Sequence, residues 1–409
     1  MAKKLMDQLA MKGKRVLVRV DFNVPLDENR NVTDDRRIRM ALPTIQCAVS
    51  HGARLILMSH LGRPKGGPDP EFSLKPAAER LAALLERPVQ FAPDSVGPEV
   101  EAMAKALKGG EVMVLENVRF HKGEEKNDDK YAEQLARLAD LYVNDAFGSA
   151  HRKHASTYGV PARMPKGTRA IGFLMQKELK FLGEALQKPA RPFVAVLGGA
   201  KVSDKVAVIE NLSKKADRLL IGGAMAYVFM AARGQGVGKS LVEREAEKKD
   251  GTKVDMIAKA RDLLAKIEAS KVQVVFPEDH LVAKELAADA ETDVQGPEIE
   301  AGWIGVDIGP ATAQGYVEVL AGAKTALWNG PMGIFEMAPF AEGTKAVCQA
   351  LAKVGERGGM AVVGGGDTAA AVEKFGLAQG MTHISTGGGA SLEFLEGKPF
   401  ETVTILDDA

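Results

Sequence analysis

Short apolar runs recur along the chain, separated by segments in which apolar residues return every three or four positions. RVLVRVDF (15–22), ARLILMSH (53–60), EVMVLENVRF (111–120) and LYVNDAF (141–147) are strand-sized and largely apolar on both faces. Between them, SLKPAAERLAALLERP (73–88) and DDKYAEQLARLAD (128–140) carry helical spacing. Strands apolar on both faces and alternating with helices predict a parallel sheet covered on each side. The pattern restarts at PFVAVLGG (192–199) and continues through RLLIGG (218–223), VQVVFPED (272–279), KTALWNG (324–330), GMAVVGGGD (359–367) and HISTGGG (383–389). The expectation is two α/β domains of similar size, each a doubly wound parallel sheet, with no residue-level repeat between them.

The stretch GVPARMPKGTRAIG (159–172), rich in Pro and Gly, is the expected boundary, and LMQKELKFLGEALQ (174–187) is the expected joining helix. The domains then cover 1–172 and 173–393, and the tail SLEFLEGKPFETVTILDD can pack on either by pattern alone. A chain of 409 residues exceeds what one core usually serves. Its 45% hydrophobic and 26% charged residues are ordinary for a globular protein. Cys47 and Cys348 lie far apart, which points to a reducing cytosol and away from a disulfide framework or zinc site. The start, MAKKLMDQLAMKGKR, lacks the apolar core of a signal peptide, and runs such as VQVVF are too short for a bilayer.

The net charge of zero hides an asymmetry. Residues 1–170 hold 28 Lys and Arg against 22 Asp and Glu, and the remainder holds 26 against 32. A basic half suits a small anionic ligand; singly scattered charges and 5% aromatics do not suit nucleic acid. GQGVGKS (234–240) looks like a nucleotide phosphate loop, but the leading Gly position falls on Arg233, whose Cβ resists the positive φ required there.

Open α/β sheets bind ligands beyond the carboxyl ends of their strands. In the first half those exits read DFN (21–23), SHLGR (59–63), VRFHKGEE (118–125) and NDAFGSAHRKHAS (144–156). With Arg36 they offer His60, Arg63, Arg119 and Arg152 as an anion pocket, since guanidinium groups grip phosphate and carboxylate bidentately. Each alone is an ordinary solvated charge. In the second half the exits are glycine-rich: LGGAKVSDK (197–205), IGGA (221–224), WNGPMGIFE (328–336), VGGGDTAAAVEKF (363–375) and STGGGASLEF (385–394). A single such loop is as well explained by a tight strand–helix turn; five in one half favour a nucleotide site. A helix is expected to start at Asp367 or Thr368, where Asp367 can reach Mg²⁺ or serve as a plain N-cap.

RVDFNVP (19–25), SHLGRP (59–64), VRFHKGEEKND (118–128), NDAFGSAHRKHAS (144–156), GGAKVSDK (198–205), WNGPMGIFE (328–336), GGGDT (364–368) and STGGGASLEFLEGK (385–398) together resemble phosphoglycerate kinases, in register and essentially end to end. The resemblance implies that Asp21, Asn23, Arg36, His60, Leu61, Gly62, Arg63, Arg119 and Arg152 hold 3-phosphoglycerate on the first domain. It places Mg-ADP or Mg-ATP on the second, against Lys201, Lys205, Asn329, Glu336 and the loop Gly364, Gly365, Gly366, Asp367 and Thr368. Gly222 and Gly223 would lie near the base, Glu336 on the ribose hydroxyls and Asp367 on the metal. Arg36, Lys201 and Asp367 would be catalytic, and the helix N-termini at Gly366, Gly388 and Gly389 would stabilise the transition state. By the same analogy the segment 394–409 returns to the first domain, and the protein is a cytoplasmic monomer without nucleic-acid or membrane partners. Tyr227, EREAEKKDGTK (243–253) and TRAIG (168–172) depart from the family pattern, Tyr227 near the presumed base pocket and the second stretch as a solvated surface insert.

The implied reaction passes a phosphoryl group between the acyl phosphate of 1,3-bisphosphoglycerate and ADP. The attacking carboxylate of the reverse direction is already ionised at neutral pH, so no general base is required. Alignment and charge neutralisation should suffice, with closure of the two domains bringing the substrates together and excluding water. A dinucleotide oxidoreductase is disfavoured because G-x-G-x-x-G is absent. A non-catalytic phosphometabolite-binding protein would need the arginines but not Lys201, Glu336 and Asp367 together. His151 and His154 have no third metal ligand nearby and read as polar loop residues beside Arg152.

Overall fold

The computed structural model describes residues 2–248 and 250–409, in two compact units. One unit runs from the N-terminus to Lys180 and includes Pro399–Ala409; the other is Phe181–Lys398.

The first unit is built on β1 (Arg15–Arg19), β2 (Arg54–Met58), β3 (Val89–Phe91), β4 (Val112–Val114), β5 (Leu141–Asn144) and β6 (Arg169–Ile171). They form one sheet in the order β3-β4-β2-β1-β5-β6, with every pair parallel. β4 and β5 are buried along their whole length, and β1 and β2 apart from their first residue, as strands covered on both faces require. The helix Arg36–Ser50 turns Ile38, Ala41, Ile45 and Ala48 inward at helical spacing, and these join the sheet residues in one core. Burying each isoleucine there contributes about 1.5–3 kcal/mol.

The second unit contains β7 (Phe193–Leu197), β8 (Arg218–Ile221), β9 (Glu245–Glu247), β10 (Lys253–Asp255), β11 (Gln273–Val275), β12 (His280–Ala283), β13 (Thr292–Gln295), β14 (Ile304–Ile308), β15 (Thr325–Asn329), β16 (Met360–Gly364) and β17 (His383–Ile384). Its parallel sheet runs β11-β8-β7-β15-β16-β17. The chain winds outward from β7 through β8 to β11, then returns to β15 on the other side of β7. That reversal opens a crevice at the carboxyl ends of β7 and β15. β12 pairs antiparallel with β13 and β14, and β9 and β10 form a hairpin.

Several expectations need correction. The stretch 159–172 is no linker: Val160–Arg163 is helical and β6 completes the first sheet beside β5. Its Pro and Gly mark turns within the unit. The change of unit falls inside the helix Phe173–Gln187, between Lys180 and Phe181, and on the return between Lys398 and Pro399. In the tail, the Asp407 carboxylate accepts from the Arg169 guanidinium at 2.7 Å and from the Gly167 N–H at 2.8 Å. The 243–253 stretch forms the β9–β10 hairpin, apart from Lys249, which lies outside the described residues. The three-stranded antiparallel sheet was not anticipated.

Candidate active site

Parallel strands deliver the loops that follow them to one edge of their sheet. In the first unit that edge receives Asp21 and Asn23 after β1, His60, Leu61, Gly62 and Arg63 after β2, Arg119 after β4 and Arg152 after β5. The helix Arg36–Ser50 connects parallel neighbours β1 and β2, so it too must begin at this edge and bring Arg36 and Arg37 with it.

The loops are tied together. The Asn23 side-chain oxygen accepts from the Gly62 N–H at 2.8 Å, and the Gly62 carbonyl accepts from the Arg119 guanidinium at 2.7 Å. Gly62 has φ +59°, and a Cβ there would overlap the Phe72 ring, so only glycine serves. Asp21 is buried and accepts from Arg37 at 2.9 Å. Burial pushes its carboxyl up, but His60, Arg37, Arg19 and the Asn23 N–H together hold it below the usual range.

Beneath them lies Arg19, only 1% exposed. Its guanidinium donates to the Ser156 hydroxyl at 2.8 Å and meets Nδ1 of His60 at 3.1 Å. Arginine has no acceptor, so Nδ1 must accept and the His60 hydrogen sits on Nε2. Burial lowers the His60 pKa well below its ordinary value, and Arg19, Arg119 and Arg37 reinforce this against Asp21. His60 is therefore a neutral donor through Nε2. Glu124, fully buried, accepts from the Ser156 N–H at 2.9 Å and its hydroxyl at 2.5 Å, and burial raises its pKa.

Arg119 is partly buried, which lowers its pKa, and Arg19 and Arg152 push it the same way against Glu125 and Glu124. Positive charge is crowded here, the condition an incoming anion relieves. Arg36 stands apart: it is exposed, its Nε lies 2.8 and 2.9 Å from the two Asp34 oxygens, and this pairing raises its pKa. Arg63 and Arg152 are exposed, and Arg152 donates to His151 Nε2 at 2.9 Å. Burial, with Arg152, lowers His151 to about 4, and burial, with Arg19 and Arg119, lowers His154 to about 3. Both are neutral loop residues, and the described residues contain no group of three or more His, Cys, Asp or Glu able to hold a metal.

In the second unit the loops after β7, β8 and β15 interlock through backbone. The N–H groups of Gly198, Gly199 and Gly223 donate to the carbonyls of Asn329, Pro331 and Met332 at 3.0, 2.8 and 3.0 Å. A Cβ on Gly198 or Gly223 would overlap the backbone of a neighbouring loop, and on Gly222 it would overlap Met332. Gly222 and Gly223 are thus required first by packing. Gly365 lies against the Asn329 side chain, whereas at Gly366 and Gly388 an added Cβ would meet nothing within 4 Å.

The helix Gly366–Lys374 starts before the expected Asp367, and its N-cap is Gly365 at φ +94°. Asp367 is therefore not the cap; it sits exposed in the first turn. Thr368 is buried and its hydroxyl accepts from the Gly330 N–H at 2.7 Å. Gly388 caps the helix Gly389–Leu395. Asn329 donates to the Gly364 carbonyl at 2.9 Å, and its side-chain oxygen accepts from the Lys205 ammonium. Lys205 is 7% exposed, and burial lowers its pKa to about 8 against the opposing pull of Asp204 and Asp367. Its close partner is a neutral amide, and no carboxylate among the described residues lies within ion-pair reach. Lys201 and Glu336 are exposed.

The model of the family described as phosphoglycerate kinase matches residues 6–398. Phosphoglycerate kinases from Moorella thermoacetica and Chlorobium chlorochromatii are 55% and 53% identical over 409 residues, covering all of both chains in each case. The solved phosphoglycerate kinase of Coxiella burnetii superposes with a TM-score of 0.86 at 39% identity, and that of Pyrococcus horikoshii with 0.83 at 33%, each covering 98% of both chains. The chain belongs to the phosphoglycerate kinase family. Its reaction is the reversible transfer of a phosphoryl group between 1,3-bisphosphoglycerate and ADP, yielding 3-phosphoglycerate and ATP. The binding-protein alternative is not favoured.

Against this phosphoglycerate kinase frame, GQGVGKS is no phosphate loop. It follows the helix Met225–Ala232 instead of preceding one, the Lys239 N–H is committed to the Trp303 carbonyl at 2.7 Å, and the Ser240 hydroxyl accepts from the Gly305 N–H at 2.9 Å. Tyr227 packs in a buried cluster with Met230, Val282, Ile299 and Trp303, against the antiparallel sheet. The 243–253 stretch is more than a solvated insert, since Glu243 accepts from Ser203 at 2.9 and 2.6 Å and so holds the loop bearing Lys201 and Lys205. Sequence reasoning missed Arg19, Arg37, Glu124 and Glu243. Arg19 and Glu124 stand inside quoted motifs, and a charge within an apolar strand run was the available signal for Arg19.

Proposed function

We propose that 3-phosphoglycerate is held at the carboxyl edge of the first sheet by Asp21, Asn23, His60, Arg63, Arg119 and Arg152, and that Mg-nucleotide is held at the corresponding edge of the second. His60 would donate from Nε2 while Arg119 and Arg152 supply charge. Lys201, Lys205, Asn329 and the 364–368 loop would take the phosphates, and Glu336 the ribose hydroxyls. The observation that carries this reading is Lys205: a buried ammonium whose close partner is a neutral amide leaves a cationic centre for phosphate to complete.

Mg²⁺ takes one or two carboxylates alongside substrate phosphates. Asp367, exposed in the first turn of a glycine-capped helix, fits that role. Bound there, the ion would draw negative charge from the phosphates. Arg36 and Lys201 would neutralise charge on the moving phosphoryl, with the helix starts at Gly366 and Gly389 directing N–H groups to it. For Arg36 this requires leaving Asp34. Transfer needs the substrates brought together, so closure is part of the proposal, as are a monomer and a cytoplasmic location. No helix among the described residues is long and apolar enough to cross a membrane.

A coupled assay for ATP formed from ADP and 1,3-bisphosphoglycerate tests the activity, and its Mg²⁺ dependence tests the metal. Loss of 3-phosphoglycerate binding in Arg119→Ala with nucleotide binding intact, and the converse in Lys205→Ala, is the expected division. A variant that loses both together, while still folded, would contradict it.

A further inference from the structure

Lys374 has no role assigned above, yet it connects two parts of the proposed nucleotide site. It closes the helix Gly366–Lys374, whose first turn carries Asp367. Its ammonium donates to the carbonyls of Phe335 at 2.8 Å and Glu336 at 2.9 Å. Those carbonyls belong to the segment following β15, not to the lysine's own helix. Seven steps of about 1.5 Å separate Asp367 from Lys374, about 10 Å of helix.

The Glu336 carboxylate is exposed and makes no hydrogen bond to the described residues, so its place is set by the backbone that carries it. That backbone turns a corner here: the Met337 N–H donates to the Ile334 carbonyl at 3.1 Å, and the Phe335 ring is buried on one side. The carbonyls of the two central residues of the corner are the ones that Lys374 takes. Charge-assisted bonds to two successive carbonyls restrain both rotation and translation of the peptide between them.

We propose that Lys374 is a positioning residue, fixing the Glu336 carboxylate relative to Asp367 so that ribose and metal-bound phosphate are gripped at a set separation. The proposal rests on Glu336 taking the ribose hydroxyls. Arg119, Lys205 and the interlocked glycines are untouched by it, so its effect is confined to the nucleotide.

The experiment measures ATP consumption with 3-phosphoglycerate, comparing ATP with its 2′-deoxy and 3′-deoxy analogues in the parent, Lys374→Met, Lys374→Arg, Glu336→Gln and the Lys374→Met/Glu336→Gln pair. Lys374→Met should raise KM for ATP on the order of tenfold, leave KM for 3-phosphoglycerate unchanged, and erase the preference for ATP over the deoxy analogues. The double variant should be no worse than Glu336→Gln, and Lys374→Arg, which keeps two donors, should retain the preference. Equal losses on ATP and its analogues in Lys374→Met, or multiplying losses in the double variant, would reduce Lys374 to a structural contact. If Glu336→Gln loses the preference and Lys374→Met keeps it, the Lys374 role alone is overturned. If Glu336→Gln keeps it, the ribose reading fails and this proposal falls with it. Thermal unfolding of each variant, with Lys374→Gln as a second substitution, separates these results from misfolding.

Discussion

Replacing Gly366 with alanine should make the protein more stable and a worse enzyme. Gly366 opens its helix at a negative φ, and an added Cβ would meet nothing within 4 Å. Alanine at such a position stabilises by about 0.4–1 kcal/mol, mainly by restricting the unfolded chain. For a domain of this size class that raises Tm by about 1–4 °C. If phosphate approaches the backbone at this turn, the methyl group occupies its space, and overpacking of one carbon costs about 1–3 kcal/mol. At about 1.4 kcal/mol per factor of ten, KM for Mg-ATP should rise roughly 5- to 150-fold. Thermal unfolding by circular dichroism and steady-state kinetics on the same preparation measure both. A higher Tm with an unchanged KM would show that no phosphate comes near Gly366 and that the glycine merely starts a helix. A lower Tm would show that the space is not open. Gly223→Ala is the contrasting control, since φ +66° and overlap with the Gly199 backbone predict lost stability whatever binds.

Arg36→Ala should lower kcat on the order of 10²-fold, comparable to removing one preorganised donor; Arg36→Lys should recover only part of this because it lacks the bidentate fork, and near-normal turnover in the alanine variant would remove Arg36 from the mechanism. The first unit should lose stability between about pH 6.5 and pH 5. His60, His151 and His154 have folded pKa values below the unfolded one, so their contribution is complete above about pH 6.5 and declines as the unfolded chain protonates first. Burial raises Asp145, to about 7, and Glu124, and these two acids oppose three histidines, leaving a net loss; urea titrations in which stability rises over that interval would contradict the sign. Adding 3-phosphoglycerate and Mg-nucleotide together should shrink the radius of gyration in solution scattering, and an unchanged radius with both bound would eliminate the closure step.

The recurring apolar runs announced β1, β2, β4 and β5 and all six strands of the second parallel sheet, of which β7, β8, β15 and β16 are buried along nearly their whole length. β3 and β13 carried no such signal: Val89–Phe91 is half-exposed and most of Thr292–Gln295 faces water, so neither alternation nor a continuous run marks them. β6 was hidden by its surroundings, since the Pro and Gly around Arg169–Ile171 read as a linker when they are turns at a sheet edge. Glycine loops were legible as a set, but not their division of labour. Only geometry separates Gly198 and Gly223, which let two backbones touch, from Gly366 and Gly388, which leave room for something else.

The least legible feature is also the most expensive to fold. Removing Arg19 and Glu124 from water is a desolvation penalty that a buried ion pair seldom recovers, and an apolar network of equal volume would serve stability as well or better. What apolar residues could not do is fix a tautomer. With Arg19 donating to Nδ1, His60 has one protonation state and one free donor across the physiological range, and Ser156, held by Glu124, keeps the guanidinium from turning away. The same logic applies to Lys205, whose burial opposite the neutral Asn329 amide lowers its pKa and, on the proposed reading, would strengthen its hold on a phosphate. In both units the chain accepts buried charge at the carboxyl edge of a parallel sheet, where the strands are rigid enough to hold it and the helix starts already favour anions. Electrostatic preorganisation of this kind suits a reaction that needs no general base, because positioning and charge are all that the protein has to supply.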